Sequence, residues 1–211
     1  MVFQLDRHTL NFPDPSLAQP DGLLAIGGDL SVARLISAYQ NGIFPWYDEQ
    51  TPILWYAPLL RFVLNPKKLR ISKSLRQVIR SERFRITENQ CFEQVVARCA
   101  TVERKDQDGT WILPEMQKAY LDLHHAGYAH SIEIWENNQL MGGLYGVQIG
   151  KVFCGESMFS QVSNTSKIAL VHLSSKVDIE LIDCQVPSEH LKKMGAELIS
   201  QQAFLNQLKN T

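Results

Sequence analysis

The stretch from Ala129 to Ser160 constrains this chain most. Three segments there, AHSIEIWE, QLMGGLYGVQ and KVFCGESMFS, read as strands, with only Asn137-Asn138 and Ile149-Gly150 between them. Turns that tight join antiparallel neighbours, so the three predict a meander. A helical stretch follows from about Ser163 to Lys176, capped by Ser163 or Asn164, and then a strand, ELIDCQV. Meander, crossover helix and further strand predict a mixed sheet with helices on its faces.

The rest of the chain supplies elements of both kinds, so the class is α/β (α+β). Residues 1–60 read as a small N-terminal domain, and 61–211 as the main one. In the first, Ser31 caps a helix to about Asn41, with Val32, Leu35, Ile36 and Tyr39 on its apolar face. GIFPWYDEQTPILWYAP reads as an ordered loop with short strands. Beyond residue 60, RFVL is a strand, Ser72 caps a helix to about Ser81, FRITE is a strand, and 90–101 is a helix. Pro114 suits the first position of a helix ending at Gly127. Pro187 opens a helix closed by Gly195, and ELIS with a short helix ends the chain. The order from Ala129 onward resembles that of GNAT acetyltransferase-like folds, an analogy of fold alone.

At 211 residues and 45% hydrophobic content, the chain is long enough for one large domain with a small partner. It has no apolar run of membrane-spanning length. Its start, MVFQLDRHTL, lacks the basic and apolar regions of a secretory signal, so a cytoplasmic location is expected. Cys91, Cys99, Cys154 and Cys184 form no CxxC pair and have no His at zinc-ligand spacing, so no metal site is expected. Net charge is −1, yet residues 61–85 hold nine Lys and Arg against Glu82 alone, a local +8. Lys73, Arg76 and Arg80 fall at i, i+3 and i+7 on one helix face. A polyanion site and a solvated helix face both fit that clustering.

Two strands carry residues that could do chemistry. In CGESMF, strict alternation puts Cys154, Glu156 and Met158 on one face and Phe153, Gly155, Ser157 and Phe159 on the other. In LIDCQV, Asp183 and Gln185 share a face opposite Ile182, Cys184 and Val186. An acid in a largely apolar strand is costly without a partner or a function. Each polar residue alone reads as a strand-end hydrogen-bonding group; together they suggest a polar site. His190 alone reads as a cap or surface residue. MGGLYG lies inside a strand pattern with no helix after it, so it suits close backbone approach rather than phosphate binding. The aromatics Phe44, Trp46, Tyr47, Trp55, Tyr56 and Trp111 suit loop packing or base stacking equally.

GLLAIGGDLS, AYQNGIFPW, ILWYAP, GTWI, AHSIEIW, GGLYGV, FCGESMFS and LIDCQ occur in this order from about Phe12 to Gly195. Together they resemble the leucyl/phenylalanyl-tRNA–protein transferase family. The resemblance implies a small N-terminal domain on a GNAT-like domain. It implies transfer of Leu, Phe or Met from aminoacyl-tRNA to proteins with N-terminal Arg or Lys, marking them for degradation. It further implies that Asp183 and Gln185 assist the attacking amine and that Glu156 is an active-site acid. Trp46 and Trp111 match aromatics around the 3′-terminal adenosine, with Tyr39 and Tyr120 nearby. Leu144, Phe153, Met158, Leu170 and Ile182 match the lining of an amino-acid pocket, although some members carry Met in place of Leu144. Lys73, Arg76, Arg80 and Arg83 are the expected contacts to the tRNA backbone. A monomer is expected.

The implied chemistry is self-consistent. Aminoacyl-tRNA is an activated ester, so no ATP, metal or other cofactor is expected. The nucleophile is an α-amine with a pKa of about 7.7–8.0, partly neutral near pH 7. Attack makes it acidic, and a carboxylate nearby can take or stabilise its proton. Gln185 can only accept a hydrogen bond through its carbonyl, so Asp183 is the expected proton handler. Two other readings compete. An acetyl-CoA-dependent acetyltransferase needs an R-x-x-G-x-G loop where this chain has SQVSNTSK, without glycine. A tRNA-binding module without catalysis leaves Glu156, Asp183 and Gln185 unexplained.

Overall fold

A computed structural model describes residues 2–102 and 110–209. Gly109 of the GTWI motif lies outside them. The N-terminal elements are β1 (Phe3–Leu5), β2 (Leu23–Gly27), α1 (Val32–Gln40), β3 (Phe44–Pro45) and β4 (Leu54–Tyr56). Their four strands form a small sheet in the order β1-β2-β4-β3. Ser31 caps α1 by accepting the Arg34 N–H, and Leu35, Ala38 and Tyr39 turn inward.

The chain then forms β5 (Leu60–Leu64), α2 (Lys73–Arg80), β6 (Arg85–Glu88), α3 (Phe92–Ala100) and α4 (Pro114–His125). The expected meander follows as β7 (Ala129–Glu136), β8 (Gln139–Ile149) and β9 (Val152–Ser160), each antiparallel to the last. Next come α5 (Thr165–Ser174), β10 (Leu181–Gln185), α6 (Glu189–Lys193), β11 (Glu197–Ser200) and α7 (Gln201–Lys209). All seven strands from β5 onward join one mixed sheet, β11-β5-β10-β9-β8-β7-β6. β10 runs parallel to β9, as a helical crossover requires.

Helices cover both faces. α3 and α4 pack on one side with α1 beneath them, and α5 and α2 on the other. The first side is continuous with the core of the small sheet through Leu24, Tyr39 and Trp55. The second is a separate apolar layer of Leu64, Leu75, Ile168 and Leu173.

The glycines of MGGLYG do permit close approach. A Cβ on Gly146 would run into the Cys154 carbonyl and the Phe153 ring, and one on Gly142 into Thr165. Two helix starts differ from expectation. Asn164 precedes α5 in a left-handed conformation, φ +75°, and its side chain takes the Lys167 ammonium instead of capping the helix. α6 starts after Ser188, whose hydroxyl accepts the Leu191 N–H, so Pro187 stays outside the helix.

Candidate active site

Two β-bulges on adjacent strands build the site. Between β8 and β9 the register passes from Tyr145–Ser157 to Gly146–Gly155, which leaves Glu156 as the extra residue. The bulge corrects the expected alternation. Phe153 and Met158 pack together with Leu170 and Ile182 on one side of the sheet. Cys154 and Phe159 belong to the opposite core. Glu156 therefore does not share a face with Met158; it turns toward Tyr39 and Tyr120.

The second bulge lies on β10, where Asp183 pairs with Val63 and Gln185 with Phe62 of β5, skipping Cys184. Gln185 sits at φ +60°, a region disfavoured for a residue with a side chain. Its N–H donates to Asp183 Oδ1 at 2.9 Å, which holds the turn. The β9–β10 ladder ends at Cys154–Asp183, so the two bulged segments lie beyond it, unpaired with each other. Gln185 bridges them by donating from Nε2 to Glu156 Oε1 at 2.9 Å.

Asp183 is fully buried and receives both arms of a guanidinium fork: Arg61 Nε to Oδ1 at 2.8 Å and Nη2 to Oδ2 at 2.7 Å. Nη1 of Arg61 donates to the Gly42 carbonyl, and the guanidinium lies between the rings of Phe44 and Phe204, 4.6 and 4.7 Å from their centroids. One ion pair thus ties the small sheet, α7 and the bulged strand together. It also takes Arg61 out of the surface charge of residues 61–85. With its oxygens so engaged, Asp183 holds the Gln185 turn at the wall of the site.

Glu156 is buried, 8% exposed, among hydroxyls. Tyr39 contacts its Oε1 at 2.8 Å, Tyr120 contacts its Oε2 at 2.6 Å, and the two tyrosine oxygens are 2.9 Å apart. Three oxygen–oxygen contacts need three protons. The two tyrosines supply two, and the third is available when Glu156 is a carboxylic acid that donates to Tyr120, which donates to Tyr39, which donates back to Oε1. Burial pushes the Glu156 pKa up to about 7, against the lowering pull of the Tyr120 and Tyr39 hydrogen bonds, and the Asp183 charge raises it further. Burial and the Glu156 charge hold both tyrosines well above their usual pKa.

Two cavities meet at this carboxyl. One, of about 390 Å³, is lined by Leu144, Phe153, Met158, Leu170 and Ile182, together with Leu173, Val186, His190 and Leu191. The other, of about 140 Å³, is edged by Trp46 and Trp111 and reaches Glu156 and Gln185. Trp46 is 38% exposed and leans on Tyr56. Tyr39 and Tyr120, expected near these indoles, are buried and bonded to the Glu156 carboxyl that lines the same recess. Lys73, Arg76 and Arg80 are exposed on α2 and form no ion pair among the described residues, whereas Arg83 is paired with Glu136. Reading the sequence missed Arg61, Leu173, Leu191 and the cavity-facing His190. Helical spacing of Leu173 from Leu170 is a signal for the first of the apolar pair.

An apolar cavity that meets an indole-edged recess at a buried carboxyl, with an amide on the recess side, has the layout of a group-transfer site. Comparison with known proteins names the transfer. Residues 63–209 match the family model described as "Leucyl/phenylalanyl-tRNA protein transferase", and residues 28–59 match that of its N-terminal domain. A protein of Anaeromyxobacter sp. (strain Fw109-5) called leucyl/phenylalanyl-tRNA--protein transferase is 53% identical over 210 residues, 98% of this chain and 89% of the relative. A protein of the same name from Syntrophobacter fumaroxidans is 52% identical, with the same coverage of each chain. The chain belongs to this family and is an aminoacyltransferase.

Proposed function

We propose that the enzyme moves Leu, Phe or Met from aminoacyl-tRNA to the α-amine of proteins with N-terminal Arg or Lys, marking them for degradation, and that it acts as a cytoplasmic monomer. The carrying observation is the meeting of the two cavities at Glu156, with Gln185 on the smaller one and bonded to that carboxyl. The larger cavity holds the donor side chain, and the recess between Trp46 and Trp111 holds the terminal adenosine. The ester carbonyl then lies between them, beside the polar pair.

Gln185 has its amide nitrogen committed to Glu156, so its carbonyl oxygen is the group left to accept from the α-amine and aim it. Attack forms the N–C bond and breaks the ester C–O bond, and one proton passes from the amine nitrogen to the departing ribose oxygen. A carboxyl with a pKa near 7 is suited to taking and returning that proton. We assign this role to Glu156, with Asp183 as the positioning residue for Gln185. The carboxyl also favours a cationic acceptor. Incubating the enzyme with labelled Leu-tRNA and an Arg-N-terminal protein, without ATP or CoA, tests the reading. Label in protein supports it; label retained on tRNA contradicts it.

A further inference from the structure

A third cavity, of about 320 Å³, adjoins the larger of the two already described and shares His190 with it. Its polar lining is Arg70, Ser72, Lys167, His190 and Lys193, with no carboxylate. None of the three cations forms an ion pair among the described residues, and Lys167 has only the Asn164 amide oxygen at 3.3 Å. Such a concentration of unopposed positive charge around one hollow favours an anion.

Two further observations point the same way. His190 turns a buried Nε2 that has no hydrogen-bond partner among the described residues. A buried ring nitrogen left unpaired is costly, and a ligand oxygen would satisfy it. The cavity also opens at the first turn of α2, where Ser72 and Ile71 line it, so the positive end of a helix adds to the field. Burial and the positive charges of Lys167 and Lys193 also lower the His190 pKa.

We infer that this hollow binds a backbone phosphate of the aminoacyl-tRNA, next to the cavity that takes the aminoacyl group. The inference rests on aminoacyl-tRNA as the donor. The acceptor protein, cationic at its end, is repelled by this lining, and the aminoacyl-adenosine part of the donor carries no phosphate. A phosphodiester matches the charge, the donors and the neighbouring row of Lys73, Arg76 and Arg80, which continues along α2 from the same end.

The test compares two donors, Leu-tRNA and leucyl-adenosine, which has no phosphate. The triple variant Arg70→Gln, Lys167→Gln, Lys193→Gln is assayed with both across a salt series, after its melting curve is shown to match the parent. We expect KM for Leu-tRNA to rise about tenfold at low salt. The dependence of log affinity on log salt should flatten by about 0.7 for each lost single-strand phosphate contact. KM for leucyl-adenosine should stay at the parent value, and Lys167→Arg, which keeps the charge, should keep the parent slope. An unchanged tRNA affinity and slope, or an equal loss with both donors, would overturn the phosphate site. Failure of the parent enzyme to use either donor would count against the transfer reaction itself, a separate result.

Discussion

The hydroxyl oxygens of Tyr39 and Tyr120 lie 2.9 Å apart while each also contacts Glu156, a closed triangle that is fully bonded only when the carboxyl is protonated. A consequence for stability follows. The folded pKa of Glu156, about 7, lies above its unfolded value of about 4.3, so the folded state binds more protons between those values. Stability from this group is therefore present at low pH and lost as pH rises through about 7, on the order of 4 kcal/mol in all. Urea unfolding of the parent and of Glu156→Gln between pH 5 and 8 checks it. The variant should lack this component of the slope; identical slopes would place the titrating group elsewhere.

Arg61 and Asp183 form a buried pair whose separation leaves an uncompensated charge. Arg61→Met alone should cost about 3–5 kcal/mol, while the double variant with Asp183→Asn should recover part of that loss. A thermal melt of each checks it. If the single change were harmless, the fork would not be anchoring the β10 bulge.

The exposed cations of α2 should govern tRNA binding. Reversing Lys73, Arg76 and Arg80 to Glu should abolish it, and the parent's affinity should fall steeply with salt as counterions are released. Filter binding of Leu-tRNA over a salt series reads both. Affinity indifferent to salt or to the triple reversal would remove α2 from the tRNA surface.

The apolar cavity should set donor choice by size and charge. Leu, Phe and Met should transfer well, since Met158 adapts to branched and aromatic guests. Val lacks a methylene, worth about 1–3 kcal/mol, so its loss should be modest. An Asp donor should be rejected far more strongly, because its carboxylate would lose water against a mostly apolar lining whose acids, Glu156 and Asp183, repel it. Relative transfer from the five charged tRNAs measures this, and efficient Asp transfer would contradict it.

Much of this fold was legible because its signals are local. Two-residue turns dictated the meander, and Ser31, Ser72 and Pro114 marked helix starts that the structure keeps. The five residues Leu144, Phe153, Met158, Leu170 and Ile182 do line one cavity. What alternation could not carry was the pair of bulges. Each inserts one residue, so every side chain beyond it changes face, and nothing in CGESMF marks Glu156 as the extra one. Arg61 was hidden for a different reason. In sequence it stands at the head of a basic run, and only the long-range pairing of β5 with β10 brings it against Asp183, 122 residues away. ELIS has no sequence mark for its place at the sheet edge beside β5.

The central claim is that the bulged Gln185, held by Asp183 and Glu156, aims the attacking amine. Single-turnover transfer from prebound Leu-tRNA to an Arg-N-terminal peptide tests it most directly, using Gln185→Ala and Asp183→Ala with tRNA affinity measured alongside. The account predicts a transfer rate lowered at least tenfold in both, about 1.4 kcal/mol or more in the barrier, with tRNA affinity changed much less. Transfer at the parent rate in both variants would contradict it.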